Sequence, residues 1–146
     1  APPPPFSERK VPLSPPSERA LAIKEEVKNL PVFILSLDEP DAHWNVNRLS
    51  HLMSIHGFAN VKWWNATDGR GGLFNNNDIS FKISGRQLSA GELGIRDSFR
   101  RVLLHAWETG IPQFLVLEDD VTPHCNLVNR LAEALHDEKC GGWGTL

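Results

Sequence analysis

The sequence predicts one α/β domain built on a mainly parallel sheet, and three observations lead to that class. Three short apolar runs, VFILSL (32–37), VKWW (61–64) and QFLVL (113–117), have the length and composition of buried strands. Segments of helical period separate them, so the order reads β-α-β-loop-α-β-α. Each run also passes into polar residues: Ser36 and Asp38, then Asp68 and Gly69, then Glu118-Asp119-Asp120.

The opening stretch, APPPPFSERKVPLSPPSER, is Pro-rich and polar and repeats Ser-Glu-Arg at 7–9 and 17–19. Residues 1–16 therefore read as a disordered tail or extended linker, and 17–146 as the folded region. A short helix is expected from Ser17 to Asn29, with Ser17 as cap and Leu21, Ile23 and Val27 apolar. After the first strand, Asp41 is placed to cap a helix carrying Val46, Leu49, Leu52, Met53 and His56 on one side, with Gly57 as its stop. Residues 70–88 are polar and rich in Gly and Asn, with one strand-like piece at 79–83, and a loop of that length is usually functional or disordered.

The clearest helix follows, LSAGELGIRDSFRRVLLHAWETG. Ser89 and Glu92 form a capping-box pair at its start, and Gly110 ends it ahead of Pro112. Ile95, Phe99, Val102, Leu103 and Ala106 recur at helical spacing as its apolar face. The last helix is expected from about Asn126 to His136, with Leu127, Leu131, Ala134 and Leu135 inward. Trp63, Trp64 and Trp107 are read as core rather than sugar-stacking platforms, with at least one of the adjacent pair packed inside, because neighbouring strand positions face opposite sides.

The chain has 146 residues, 40% hydrophobic and 23% charged, enough for one domain with a real core. Its net charge of −3 has no blocks of like sign, which argues against nucleic-acid or polybasic membrane partners. No run approaches the roughly 18 apolar residues of a membrane span. Cys125 and Cys140 make neither a disulfide framework nor a zinc site. Two free thiols are expected, with a single disulfide across the intervening helix as the alternative in an oxidising compartment. Asn65-Ala66-Thr67 fits the N-glycosylation pattern but lies where a strand turns into a loop, and is not expected to be used.

The three consecutive acids pose the functional question. Adjacent carboxylates repel one another, and burying one uncompensated charge is costly. They are either solvated in a turn, which is common after strands, or arranged around something positive. Ligands of open α/β sheets bind outside the carboxyl ends of the strands, where all three polar clusters should converge. Hard oxygen ligands without His or Cys suit Mg²⁺ or Mn²⁺ bridging carboxylates to phosphate oxygens.

VFILSLD followed by a helix, NATDG, LSAGELGIRDSF and FLVLEDDV, in that order, resemble the successive motifs of glycosyltransferase family 25 over about residues 31–146. That family includes lipopolysaccharide-modifying transferases and procollagen galactosyltransferases. The resemblance implies a GT-A-like, Rossmann-like fold, here C-terminally incomplete, so that 17–146 is the N-terminal part of the domain in a fragment or short form. It implies a UDP-sugar donor, often UDP-galactose, a divalent metal, Mn²⁺ or Mg²⁺, and a hydroxyl acceptor on a glycan or protein. By the same resemblance Glu118 and Asp120 hold the metal, while Ser36, Asp68, Gly69 and Asp119 line the donor site. The compartment it implies is the endoplasmic reticulum or Golgi lumen in a eukaryote and the cytoplasm in a bacterium.

Two departures stand out. Where the family has Asn-Leu-Asp-Arg after the first strand, this chain has Ser36-Leu37-Asp38-Glu39, which removes a cation that could meet donor phosphate. Where the family has Ser-His in the long helix, this chain has Ser98-Phe99, which removes a polar group that could orient the site. No residue is assigned as catalytic base; His105, on a packed helix, and His124, in a turn, are read as structural. The chain alone is expected to bind donor weakly or not at all and to be inactive in transfer. The alternative is an inactive relative that binds nucleotide sugars or serves as an interaction module. A phosphoryl-transfer receiver, which expects an acidic pair after the first strand and a Lys after a later one, ranks last.

Overall fold

The structure is a computed structural model that describes residues 18–71, 82–83 and 85–136. The Pro-rich segment, the expected cap Ser17, Cys140 and most of the 70–88 loop lie outside the described residues. The elements are α1 (Glu18–Lys28), β1 (Val32–Ser36), α2 (Pro40–Ile55), β2 (Val61–Asn65), a 3-10 turn (Gly69–Gly71), β3 (Lys82–Ile83), β4 (Arg86–Gln87), α3 (Ala90–Thr109), β5 (Leu115–Glu118) and α4 (Leu127–His136).

β1 is central, with β2 and β5 parallel on either side of it. Its five residues are all buried, and the two-residue period of a strand sends them alternately to two cores. Val32 and Ile34 join Val27 of α1, Val46, Leu49 and Met53 of α2, Phe58, and Leu131 and Ala132 of α4 on one face. Phe33 and Leu35 join Val102 of α3 on the other, flanked by Trp64, Phe99, Ile111, Phe114 and Val116. The result is a small three-stranded parallel sheet flanked by helices, the α/β class expected. A separate two-stranded antiparallel ribbon, β3–β4, precedes α3.

Three expectations are corrected. Asp41 does not cap α2. Glu39 is the extended residue before the helix, Pro40 takes the first helical position, where its missing N–H costs nothing, and Asp41 lies in the first turn. Leu103 and Trp107 are exposed, Trp107 by 85%. α3 meets the sheet along Ser98, Val102 and Ala106, and the residue after each of the last two is rotated about 100° away. Leu21 is likewise exposed on α1, whereas Val27 is fully buried. Of the adjacent tryptophans, Trp64 packs edge-on against Phe33, with ring centroids 5.6 Å apart, and Trp63 stays 41% exposed.

The ends of α3 form as the sequence predicts. Ser89 accepts from the Glu92 backbone, Glu92 accepts from the Ser89 backbone, and Gly110 closes the helix at φ 71°.

Candidate functional site

Parallel pairing brings the carboxyl ends of β2, β1 and β5 side by side. The register sets Ser36 against Asn65 and Leu35 against Glu118, so the segments after all three strands emerge on one edge. A cavity of about 530 Å³ opens there. All six residues expected at the site line it: Ser36, Asp68, Gly69, Glu118, Asp119 and Asp120. The start of α2 contributes Asp41 and Ala42, and α3 contributes Gly91, Ile95 and Ser98.

The three consecutive acids differ in their surroundings. Ser36, itself buried, donates its hydroxyl to Asp119 Oδ2 at 2.6 Å, so this carboxylate is tied to the end of the central strand. Arg48 of α2 holds the same turn from the outside, donating to the backbone oxygens of Asp119 (3.3 Å) and Val121 (2.7 Å). The carboxylates of Glu118 and Asp120 are exposed and form no ion pair among the described residues. No group of three or more His, Cys, Asp or Glu side chains that could hold a metal occurs among the described residues. A Mg²⁺-type ion is commonly held by only one or two carboxylates together with substrate phosphates and water. Two unpaired carboxylates beside an open cavity fit that pattern.

Opposite them stands a cation that sequence reasoning missed. Arg70 Nε and Nη2 grip the Asp68 carboxylate at 2.9 and 2.8 Å, and Nη2 also reaches Glu39 Oε1 at 2.5 Å. The Arg70 backbone N–H donates to Asp68 Oδ1 as well, at 2.9 Å. Hydrogen bonds from Arg70 hold the Asp68 carboxyl at a pKa of about 2, and the guanidinium is pushed further up by Asp68 and then Glu39. The segment after β2 supplies a guanidinium, and Glu39 is its partner. The signal was the spacing of Asp68 and Arg70 on either side of Gly69 in "TDGR".

The loop carrying Asp68 is fastened to α3. Ser98 Oγ accepts from the Thr67 backbone N–H at 2.8 Å and donates to the Gly94 carbonyl at 2.7 Å. Thr67 donates its hydroxyl to Asp97 Oδ2 at 2.6 Å, and Arg101 reaches Thr67 Oγ1 and the Asn65 carbonyl at 3.1 and 3.0 Å. The Thr67 bond, followed by Arg100 and Arg101, draws the Asp97 pKa down against partial burial. A Cβ on Gly69 would lie 1.7 Å from the Ala90 carbonyl oxygen, so here the loop backbone rests directly on the helix.

The remaining candidates fall elsewhere. Phe99, at the family's His position, packs with Phe33, Leu35 and Val102 and does not line the cavity. His105 rests on the Phe33 and Trp64 rings, His124 Nδ1 accepts from the Asn126 backbone at 3.1 Å, and neither lines the cavity. Cys125 has an exposed free thiol. Compared with protein-family models, curated proteins and solved structures, the chain matches none.

Proposed function

We propose that the cavity binds the diphosphate of a nucleotide-sugar donor through a divalent cation, and that the protein is a GT-A-type glycosyltransferase of the family 25 kind. The reaction is transfer of a hexose, galactose foremost, from a UDP-sugar to a hydroxyl acceptor on a glycan or protein. The observation that carries the reading is the different treatment of adjacent acids at the strand ends. Asp119 is tied to Ser36, while Glu118 and Asp120, exposed beside the cavity, form no ion pair among the described residues.

In this reading Glu118 and Asp120 hold Mn²⁺ or Mg²⁺, and Asp119 keeps the turn in place through Ser36 and Arg48. When bound, such an ion would offset charge developing on the leaving diphosphate. Ser36, Asp68 and Gly69 shape the wall against which the donor rests.

Titration calorimetry of the whole protein with UDP, with and without Mn²⁺, tests this. Asp120→Asn is expected to abolish Mn²⁺-dependent UDP binding with the fold intact, because an amide nearly matches the carboxylate in shape but is a poor ligand for a hard ion. Asp119→Asn is expected to do less, since its amide oxygen can still accept from Ser36. Equal binding by all three proteins would make the acids a solvated turn. Tight metal-free binding would indicate a different kind of nucleotide site. Metal-dependent binding by the whole protein without hexose transfer would reassign it as a nucleotide-sugar-binding module.

A further inference from the structure

Among the described residues the cavity lining contains one guanidinium, Arg70, and six carboxyl-bearing residues: Glu39, Asp41, Asp68, Glu118, Asp119 and Asp120. Resting on the donor-binding reading above, we propose that Arg70 takes the donor diphosphate directly. Asp68 is then its positioning residue, and Glu39 is a competing carboxylate that the phosphate displaces.

The geometry separates these roles. Asp68 holds Arg70 three times: at Nε, at Nη2 and at the backbone N–H. That grip fixes both the start of the side chain and the plane of the guanidinium. Glu39 makes one contact, from the segment after a different strand, and its own side chain is half exposed. Arg70 Nη1 has no hydrogen-bond partner among the described residues, and the side chain is 62% exposed.

A guanidinium held on one edge by a carboxylate keeps donors free for a second oxyanion, and phosphate oxygens suit its planar fork as well as carboxylates do. A diphosphate bound near Glu118 and Asp120 would otherwise meet an acidic wall. Arg70 is the protein group that gives that wall a cationic point. It can engage an incoming phosphate by releasing Glu39 while Asp68 retains its hold.

The plain alternative is that Arg70 only staples two loops together. Calorimetry in Mn²⁺ with UDP and with inorganic pyrophosphate, on wild type, Arg70→Ala, Arg70→Lys and Glu39→Gln, separates the two, with a circular-dichroism melt to verify folding. Arg70→Ala is expected to weaken both ligands by about 10- to 100-fold, the range of a charge-assisted hydrogen-bonded contact. Arg70→Lys should fall in between, because it keeps the charge and loses the fork. Glu39→Gln should tighten both ligands by about 3-fold, since it removes an exposed competing pair. A staple predicts the opposite for Glu39→Gln, weakened or unchanged binding, and that result overturns the proposal. So does wild-type affinity in Arg70→Ala. Pyrophosphate binding that depends on Arg70, with UDP bound no better, would sink the nucleotide-sugar reading and leave the Arg70 assignment standing. Failure of the wild type to bind either ligand would overturn both.

Discussion

Ser98 shows how a single hydroxyl can link the fold to the site. It is 1% exposed, and its one oxygen both accepts from the Thr67 backbone and donates to the Gly94 carbonyl. Ser98→Ala leaves the Thr67 N–H without that acceptor, so urea unfolding should show a loss of about 1–3 kcal/mol, the cost of an unsatisfied buried donor. A loss under a few tenths of a kcal/mol would mean that the Thr67 loop is held by Asp97 and Arg101 alone. Residues of this kind divide by how far their partners lie in sequence. Ser36, Asp68, Gly69 and the three acids could be read in advance, because each lies at or shortly after the end of an apolar run and parallel pairing must bring such positions together. Arg48 and Asp97 could not be assigned a role, because their function depends on which loop meets which helix. Arg48, for example, reaches backbone oxygens 71 and 73 residues away.

Helix α3 was legible at its ends and less so along its length. The cap chemistry is local: Ser89, Glu92 and Gly110 act on backbone within a few residues. The buried stripe is not local, because it depends on where the sheet lies, and a 3.6-residue period alone placed Leu103 inside although it is 59% exposed. The cap also gives α3 a pH dependence. Hydrogen bonds from Arg86, then from the Ser89 backbone, hold the Glu92 pKa at about 2 instead of the usual 4.5. A carboxylate whose folded pKa is depressed adds stability above its unfolded pKa and loses it as pH falls through the folded value. The contribution of Glu92 should therefore be complete at pH 7 and disappear between about pH 4.5 and 2. Thermal melts of wild type and Glu92→Gln should differ at pH 7 and converge toward pH 2. A difference that stays constant across that range would show that the carboxylate charge plays no part. Ser89→Ala, which removes the other half of the box, should cost about 1 kcal/mol at neutral pH.

At the scale of the molecule, the described residues form two cores sharing one central strand, with the cavity at the end where the covering helices and strand ends meet. Its shape depends on how closely the segment after β2 lies on α3, and two glycines set that distance. A Cβ on Gly69 would stand 1.7 Å from the Ala90 carbonyl oxygen, and one on Gly94 would stand 2.5 Å from the Thr67 carbonyl oxygen. Both obstacles are backbone, which cannot swing aside as a side chain can, so a methyl group at either place must push the loop off the helix. That displacement carries Asp68 and Arg70 with it, because they lie on either side of Gly69. Gly110 offers the comparison. Nothing lies within 4 Å of a Cβ there, and the cost of Ala is the left-handed backbone at φ 71° alone, about 1–2 kcal/mol. Gly110→Ala should therefore lower the urea midpoint and leave Mn²⁺-dependent UDP affinity as it was. Gly69→Ala should lower both, with affinity falling by more than about 10-fold if loop displacement removes a charge-assisted contact. If Gly69→Ala binds UDP as tightly as Gly110→Ala does, the close contact between loop and helix matters to the fold but not to the cavity, and the donor site must be built without the Asp68 loop.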